Sequence, residues 1–134
     1  MKHLIVTAAI LMESGEILCM QRKASKFDYI SYKFEFPGGK VEPGETFEEA
    51  LSRELQEEMA LDINVTPEQY FMTVEHAYPD FSITMHAYLC PIDHRIFSRN
   101  DHHDHVWLAP EFLMTLDWAP ADLPIVNKLM EVLK

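Results

Sequence analysis

Basic residues are scarce in this chain: 11 Lys and Arg stand against 22 Asp and Glu in 134 residues, a formal charge of −11. Such a chain repels a polymer of phosphates, because nucleic-acid binders present a basic stripe to the backbone. No nucleic-acid polymer is therefore expected as a partner, while a small anion escorted by metal ions stays compatible. Cysteine is scarcer still. Cys19 and Cys90 each sit inside an apolar run, without CxxC spacing, which excludes a disulfide framework and reads as two small buried hydrophobes. Long apolar runs are missing as well. Nothing approaches the roughly 18 residues needed to span a bilayer, and the opening MKHLIVTAAILMESGE reaches Glu13 too early for an export signal. No membrane partner and a cytoplasmic location are the expectations, for one domain over residues 1–134 with neither repeat nor low-complexity tract.

What the sequence does have is 48% apolar residues, enough at this length for one core. Residues 3–12 and 16–22 read as strands joined by ESGE, a hairpin turn with Gly15 supplying the permissive backbone. KASKFDYISYKFEF leads into PGGK, which reads as a tight loop. Thr46 and Glu49 then form a capping box, and Phe47, Leu51, Leu55 and Met59 recur every four residues, so a helix is predicted over 47–59. QYFMTVEHAY and FSITMHAYLC flank Pro79–Asp80 as a second antiparallel pair, with HVWLA as a further strand. A short helix starts at Pro110–Glu111. The last begins at Asp122 and Pro124, with Ile125, Val126, Leu129, Met130 and Leu133 as its buried stripe.

Glutamate crowds the segment GGKVEPGETFEEALSRELQEEMAL, residues 38–61. On the predicted helix Glu54, Glu57 and Glu58 fall at i, i+3 and i+4, so their carboxylates share one face and repel one another. A divalent cation of the Mg²⁺ kind, which takes carboxylate oxygens and keeps waters for a substrate phosphate, would relieve that repulsion. A merely solvated acidic face is the bland alternative. Against it stand the preceding Gly-Gly loop, whose backbone can approach a ligand closely, and Arg53, which can hold a carboxylate in fixed orientation.

Gly39, Glu45, the run Arg53-Glu54-Leu55-Gln56-Glu57-Glu58 and Leu61 carry the spacing of the Nudix box, and the chain resembles the Nudix hydrolases. One position departs from the pattern: Ala60 stands where the family has glycine, which predicts either a different helix exit or a strain of about 1 kcal/mol. The resemblance implies an α/β protein, an α/β/α sandwich with a mixed β-sheet. It also implies hydrolysis of compounds in which a nucleoside diphosphate is linked to another group. Carried onto this chain, Glu54, Glu57, Glu58 and the carbonyl of Gly38 or Gly39 would hold Mg²⁺ or Mn²⁺. Arg53 would orient a carboxylate, Glu45 would support the loop, and Glu54 is the first choice of base.

Outside the box, FEFPGGKVEPGET and the compact length resemble the MutT branch, whose members act on nucleoside triphosphates. ITMHAYLCP, DHHDHVW and APADLP look most like its CTP pyrophosphohydrolase members. By that likeness Asp101 would be a further loop carboxylate near the metals, and Asp122 a base-reading residue. An ionised Asp122 offers acceptors only, which suits the cytosine amine; its other reading is an N-cap. Phe36 and Phe81 would wall the base, or are plain core. Arg22 and Lys23 would contact phosphate, or end a strand in solvent. DHHDH at 101–105 has no matching Cys or His pair at ligand spacing and reads as a polar loop, not a zinc cluster. The implied function is a Mg²⁺-dependent pyrophosphohydrolase of CTP, dCTP or 5-modified forms, acting as monomer or homodimer on a small-molecule nucleoside triphosphate. Its alternatives are an 8-oxo-dGTP diphosphatase and a non-catalytic nucleotide sensor.

Overall fold

A computed structural model describes residues 1–133. Seven strands form one mixed sheet: β1 Lys2–Glu13, β2 Glu16–Gln21, β3 Phe34–Glu35, β4 Gly38–Lys40, β5 Tyr70–Ala77, β6 Phe81–Pro91 and β7 Asp104–Leu108. Two α-helices, α1 Phe47–Met59 and α2 Leu123–Val132, accompany short 3₁₀ turns. The β1–β2 hairpin turns on Ser14 and Gly15, both at positive φ, the twist that two-residue hairpins require. β5 and β6 pair antiparallel as the sequence predicts, whereas β1 and β6 run parallel from Lys2↔Phe81 to Met12↔Pro91, and this pairing makes the sheet mixed.

Both faces of the sheet are covered, which is why β1 and β2 read as unbroken apolar runs. Ala8, Ile10, Ile17 and Cys19 point into a core closed by Ile125, Val126 and Leu129 of α2. Their neighbours Ala9, Leu11, Leu18 and Met20 point into a second core closed by Leu51, Leu55 and Met59 of α1. Two layers of helix on one sheet give the α/β sandwich expected. Met130 and Leu133 of the predicted stripe are only partly buried at its rim.

The sequence reading of PGGK as a loop is corrected. Gly38–Lys40 is a strand, paired antiparallel with Val6–Ala8 of β1. β2 meets the same β1 only at Met12 and Glu13. A Cβ on Gly38 would stand 1.9 Å from the Thr7 carbonyl oxygen, so only glycine allows the close pairing. β3 continues into an irregular ladder with residues 117–122. Phe34 N–H donates to the Asp117 carbonyl and Ala119 N–H to the Phe34 carbonyl, each at 2.8 Å.

Candidate active site

α1 carries the glutamates. Its N-terminus is fixed by the predicted capping box, with Thr46 and Glu49 bonded reciprocally. Within it Arg53 is the organiser. Its guanidinium donates to both Glu45 oxygens at 2.7 and 2.9 Å, to Glu54 at 3.0 Å, to Glu57 at 3.2 Å and to the Lys40 carbonyl at 3.1 Å. That fork ties the loop after β4 to the helix and holds the Glu45 carboxyl down at about 2, helped by the Glu42 N–H. Glu54 is pressed against β4, where a Cβ on Gly39 would stand 2.3 Å from the Glu54 carboxyl carbon.

Glu58 faces inward beside Glu54 and Asp101. Partial burial first, then the two neighbouring carboxylates, push its carboxyl up to about 8. Glu57 instead reaches back to Arg53, its side chain 59% exposed at the outer rim. Glu54, Glu58 and Asp101 come together, while Glu57 shares the Arg53 Nη1 with Glu54 from the outer rim. Among the described residues no three His, Cys, Asp or Glu side chains already form a closed metal cage. Hard oxygen donors with unrelieved mutual repulsion nevertheless suit Mg²⁺ or Mn²⁺, since a cation between them removes the cost that burial imposes.

Next to these carboxylates lies a cleft of two joined parts that share Arg22, Glu35 and Gly38. The polar part, about 290 Å³, is lined by Lys23, Glu58, Asp101 and His102. A mostly apolar part, about 270 Å³, is walled by Phe36, Tyr78, Phe81, Gly39 and Asp122. Phe36 packs on Trp118 at 4.8 Å in the core and also lines the cleft. Phe81 is half-buried against Tyr78 and Phe27. Lys23 donates to the Asn100 carbonyl at 3.4 Å and lines the polar part.

The N-cap reading of Asp122 fails. It precedes α2 but makes no side-chain cap bond; its carboxyl accepts the Phe36 N–H at 3.0 Å, completing the β3 ladder. Only 5% exposed, it has its carboxyl pushed well above the ordinary value by burial and by the Glu35 charge, against the pull of the Phe36 N–H and Arg22. The shift runs toward the protonated form and away from the ionised acceptor of the sequence reading, and a protonated carboxyl has an O–H donor beside its acceptor.

The NUDIX domain model matches residues 1–129. The chain belongs to the Nudix family of hydrolases. It is 37% identical over 130 residues to the CTP pyrophosphohydrolase of Escherichia coli K12, covering 97% of this chain and 93% of that one. Identity to the 8-oxo-dGTP diphosphatase of the same organism is 34% over 132 residues, 96% and 98% of the two chains. The solution structure of the E. coli ORF135 protein superposes with a TM-score of 0.82 at 34% identity, covering 98% of this chain and 91% of that one.

On this Nudix fold the box helix ends as the departure at Ala60 predicts. Ala60 sits at φ 54° and ψ 33°, the left-handed conformation glycine favours, and its N–H donates to the Gln56 carbonyl at 3.1 Å. The exit is kept and the strain is accepted. Two cleft residues escaped the sequence reading. Glu35 accepts from Arg22 and from His102, each at 2.9 Å; the signal for it was the alternation Phe34-Glu35-Phe36, which turns the charge away from the two rings. In the histidine run, His103 packs on Tyr32 and His105 on Phe97.

Proposed function

We propose that this Nudix hydrolase is a Mg²⁺-dependent (deoxy)nucleoside triphosphate pyrophosphohydrolase, acting on CTP, dCTP or 5-modified forms and giving a nucleoside monophosphate and pyrophosphate. The observation that carries the reading is one cleft with two chemistries: an apolar, aromatic-walled part ending at Asp122, joined through Arg22 to Glu58 and Asp101. A nucleoside fits the first part, and a phosphate chain escorted by cations fits the second.

Glu54, Glu58 and Asp101 would hold the metal, with Glu57 and the carbonyl of Gly38 or Gly39 as further oxygen donors. Bound Mg²⁺ supplies neutralisation of phosphate charge and an acidified water. Arg53 orients the Glu54 carboxylate, the proposed proton acceptor. Arg22 and Lys23 meet phosphate oxygens, and Phe36 and Phe81 exclude water from the base. A neutral Asp122 can accept from the cytosine N4 amine and donate to N3, a two-point contact.

The donor and acceptor of a protonated Asp122 also fit a purine edge that offers a carbonyl beside an N–H, which makes 8-oxo-dGTP the second reading. Competitive turnover of dCTP and 8-oxo-dGTP with Mg²⁺ separates the two. A kcat/KM lead for cytosine nucleotides is expected; a lead for 8-oxo-dGTP would move the protein to nucleotide-pool sanitation.

A further inference from the structure

Arg22 joins the two parts of the cleft and Asp101 lies at the carboxylate end, and the Glu35 carboxylate links Arg22 to His102, the residue after Asp101. Glu35 Oε1 accepts from the Arg22 Nη1 at 2.9 Å, and its Oε2 lies 2.9 Å from His102 Nε2. A carboxylate only accepts, so His102 donates from Nε2. His102 is 9% exposed at its side chain, the least exposed histidine forming an ion-pair contact among the described residues. It follows Asp101 directly, on the segment between β6 and β7.

That segment is tied to α1 as well, where Ser98 N–H donates to the Met59 carbonyl at 2.8 Å, and Arg99 pairs with Asp104 at 3.2 Å. His103 N–H donates to the Gln21 carbonyl at 2.8 Å, and Lys23 to the Asn100 carbonyl at 3.4 Å. Farther away, Arg95 holds Glu13 and Glu16 and stacks on Trp107. The bond to Glu35 is the side-chain tie made by the residue directly after Asp101, and it leads into the cleft. Arg22 is likewise incompletely held, with its Nε buried and without a hydrogen-bond partner among the described residues.

We propose that Glu35 and His102 form a positioning pair that assembles the cleft from both ends. Through Arg22, Glu35 sets the cation that meets the phosphate chain; through His102, it sets the segment that brings Asp101 onto Glu58. The inference rests on the triphosphate reading above for what the cleft binds, and it assigns these two residues no contact with the reacting atoms. Their role is to make the metal end and the nucleotide end form together.

The test reads metal binding and turnover separately, at fixed pH. Mn²⁺ binding to the nucleotide-free protein is followed by electron paramagnetic resonance, kcat and KM are measured with dCTP, and melting temperature is checked for every variant. His102→Ala is expected to weaken Mn²⁺ binding about tenfold and to lower kcat while KM stays within about twofold. His102→Gln, which keeps an N–H donor at similar reach, restores Mn²⁺ binding. Glu35→Gln weakens Mn²⁺ binding and raises KM, and the double variant Glu35→Gln/His102→Ala binds Mn²⁺ no worse than either single change. Should His102→Ala lose its fold, His102→Phe keeps the ring volume without the donor and takes its place beside His102→Gln. Wild-type Mn²⁺ binding in the donor-free variant, or additive losses in the double variant, would overturn the pair. Failure of the triphosphate reading is a separate event, visible as no turnover in the unmutated protein, and it leaves the Mn²⁺ comparison readable.

Discussion

The two ends of the cleft are built in opposite ways. At the carboxylate end, Arg53, Glu54 and Glu58 come from consecutive turns of α1, and Glu45 reaches them from the loop just before. The nucleoside end draws on the end of β2, the stretch after β3, the start of β6 and the turn before α2, through Arg22, Phe36, Phe81 and Asp122. Apart from Asp101, which comes from the segment between β6 and β7, one end is a local structure, and the other is a product of the whole fold. Helix periodicity alone sets the spacing of the glutamates, while the depth of Asp122 depends on the ladder that continues β3. Chemistry held by one helix and specificity held by four separate segments should respond differently to substitution.

The largest effect should come from breaking the carboxylate end. Glu58→Gln is expected to cut turnover about a thousandfold, several kcal/mol of charge stabilisation, and Glu57→Gln, at the exposed rim, less. The same change should alter stability in the metal-free protein. The Glu58 carboxyl is raised from an ordinary 4.5 to about 8, so between those values the folded state keeps a proton that the unfolded chain has lost. Its contribution is full below about 4.5 and is lost as pH rises through about 8. Melting temperature should therefore fall across that window, with Glu58→Gln flattening the slope and Mg²⁺ opposing it. Glu45 works in the other direction and another window: held at about 2, it stabilises above the ordinary carboxylate value and is lost as pH drops toward 2.

A smaller loss should follow from disturbing the seam between the ends. Gly39→Ala would drive a methyl into the Glu54 carboxylate, and a misplaced carboxylate is expected to cost about a hundredfold in kcat. Far-ultraviolet circular dichroism should stay native, because the clash is with a side chain and not with backbone.

At the nucleoside end the expected response is in selectivity. Asp122→Ala should move the dCTP to 8-oxo-dGTP ratio of kcat/KM about tenfold, the scale of one two-point base contact. Asp122→Asn keeps a donor and an acceptor and should move it less. An unchanged ratio in Asp122→Ala would remove Asp122 from base reading.

The smallest effect is expected at the exit of α1, two residues after Glu58. Ala60→Gly relieves the left-handed strain at φ 54° and should add about 0.5–1 kcal/mol of stability, less the entropy that glycine loses on folding. Turnover should not change; denaturant unfolding reads the gain.

How much was legible beforehand follows the same division. The helix over 47–59 was readable to the residue, since a capping box and an i, i+4 apolar stripe are both local signals. The hairpin and the β5–β6 pair were readable too, with strand ends within one residue of those observed. Gly38–Lys40 was not recognisable as a strand, because glycine has no strand preference and its partners in β1 lie 30 to 34 positions away. Asp122 followed by Leu123-Pro124 looked like a helix start, and only the distant Phe36 N–H explains why its side chain turned elsewhere. Glu35 and His102 carry no motif of their own. Their meaning lies in a contact across 67 positions, which spacing cannot express.

The central claim is tested most directly by incubating the unmutated protein with CTP and Mg²⁺ and identifying every product. CMP and pyrophosphate in equal amounts, abolished by a chelator and restored by Mg²⁺, is the predicted result. Release of orthophosphate instead, or no product with any nucleoside triphosphate at saturating Mg²⁺, would contradict it.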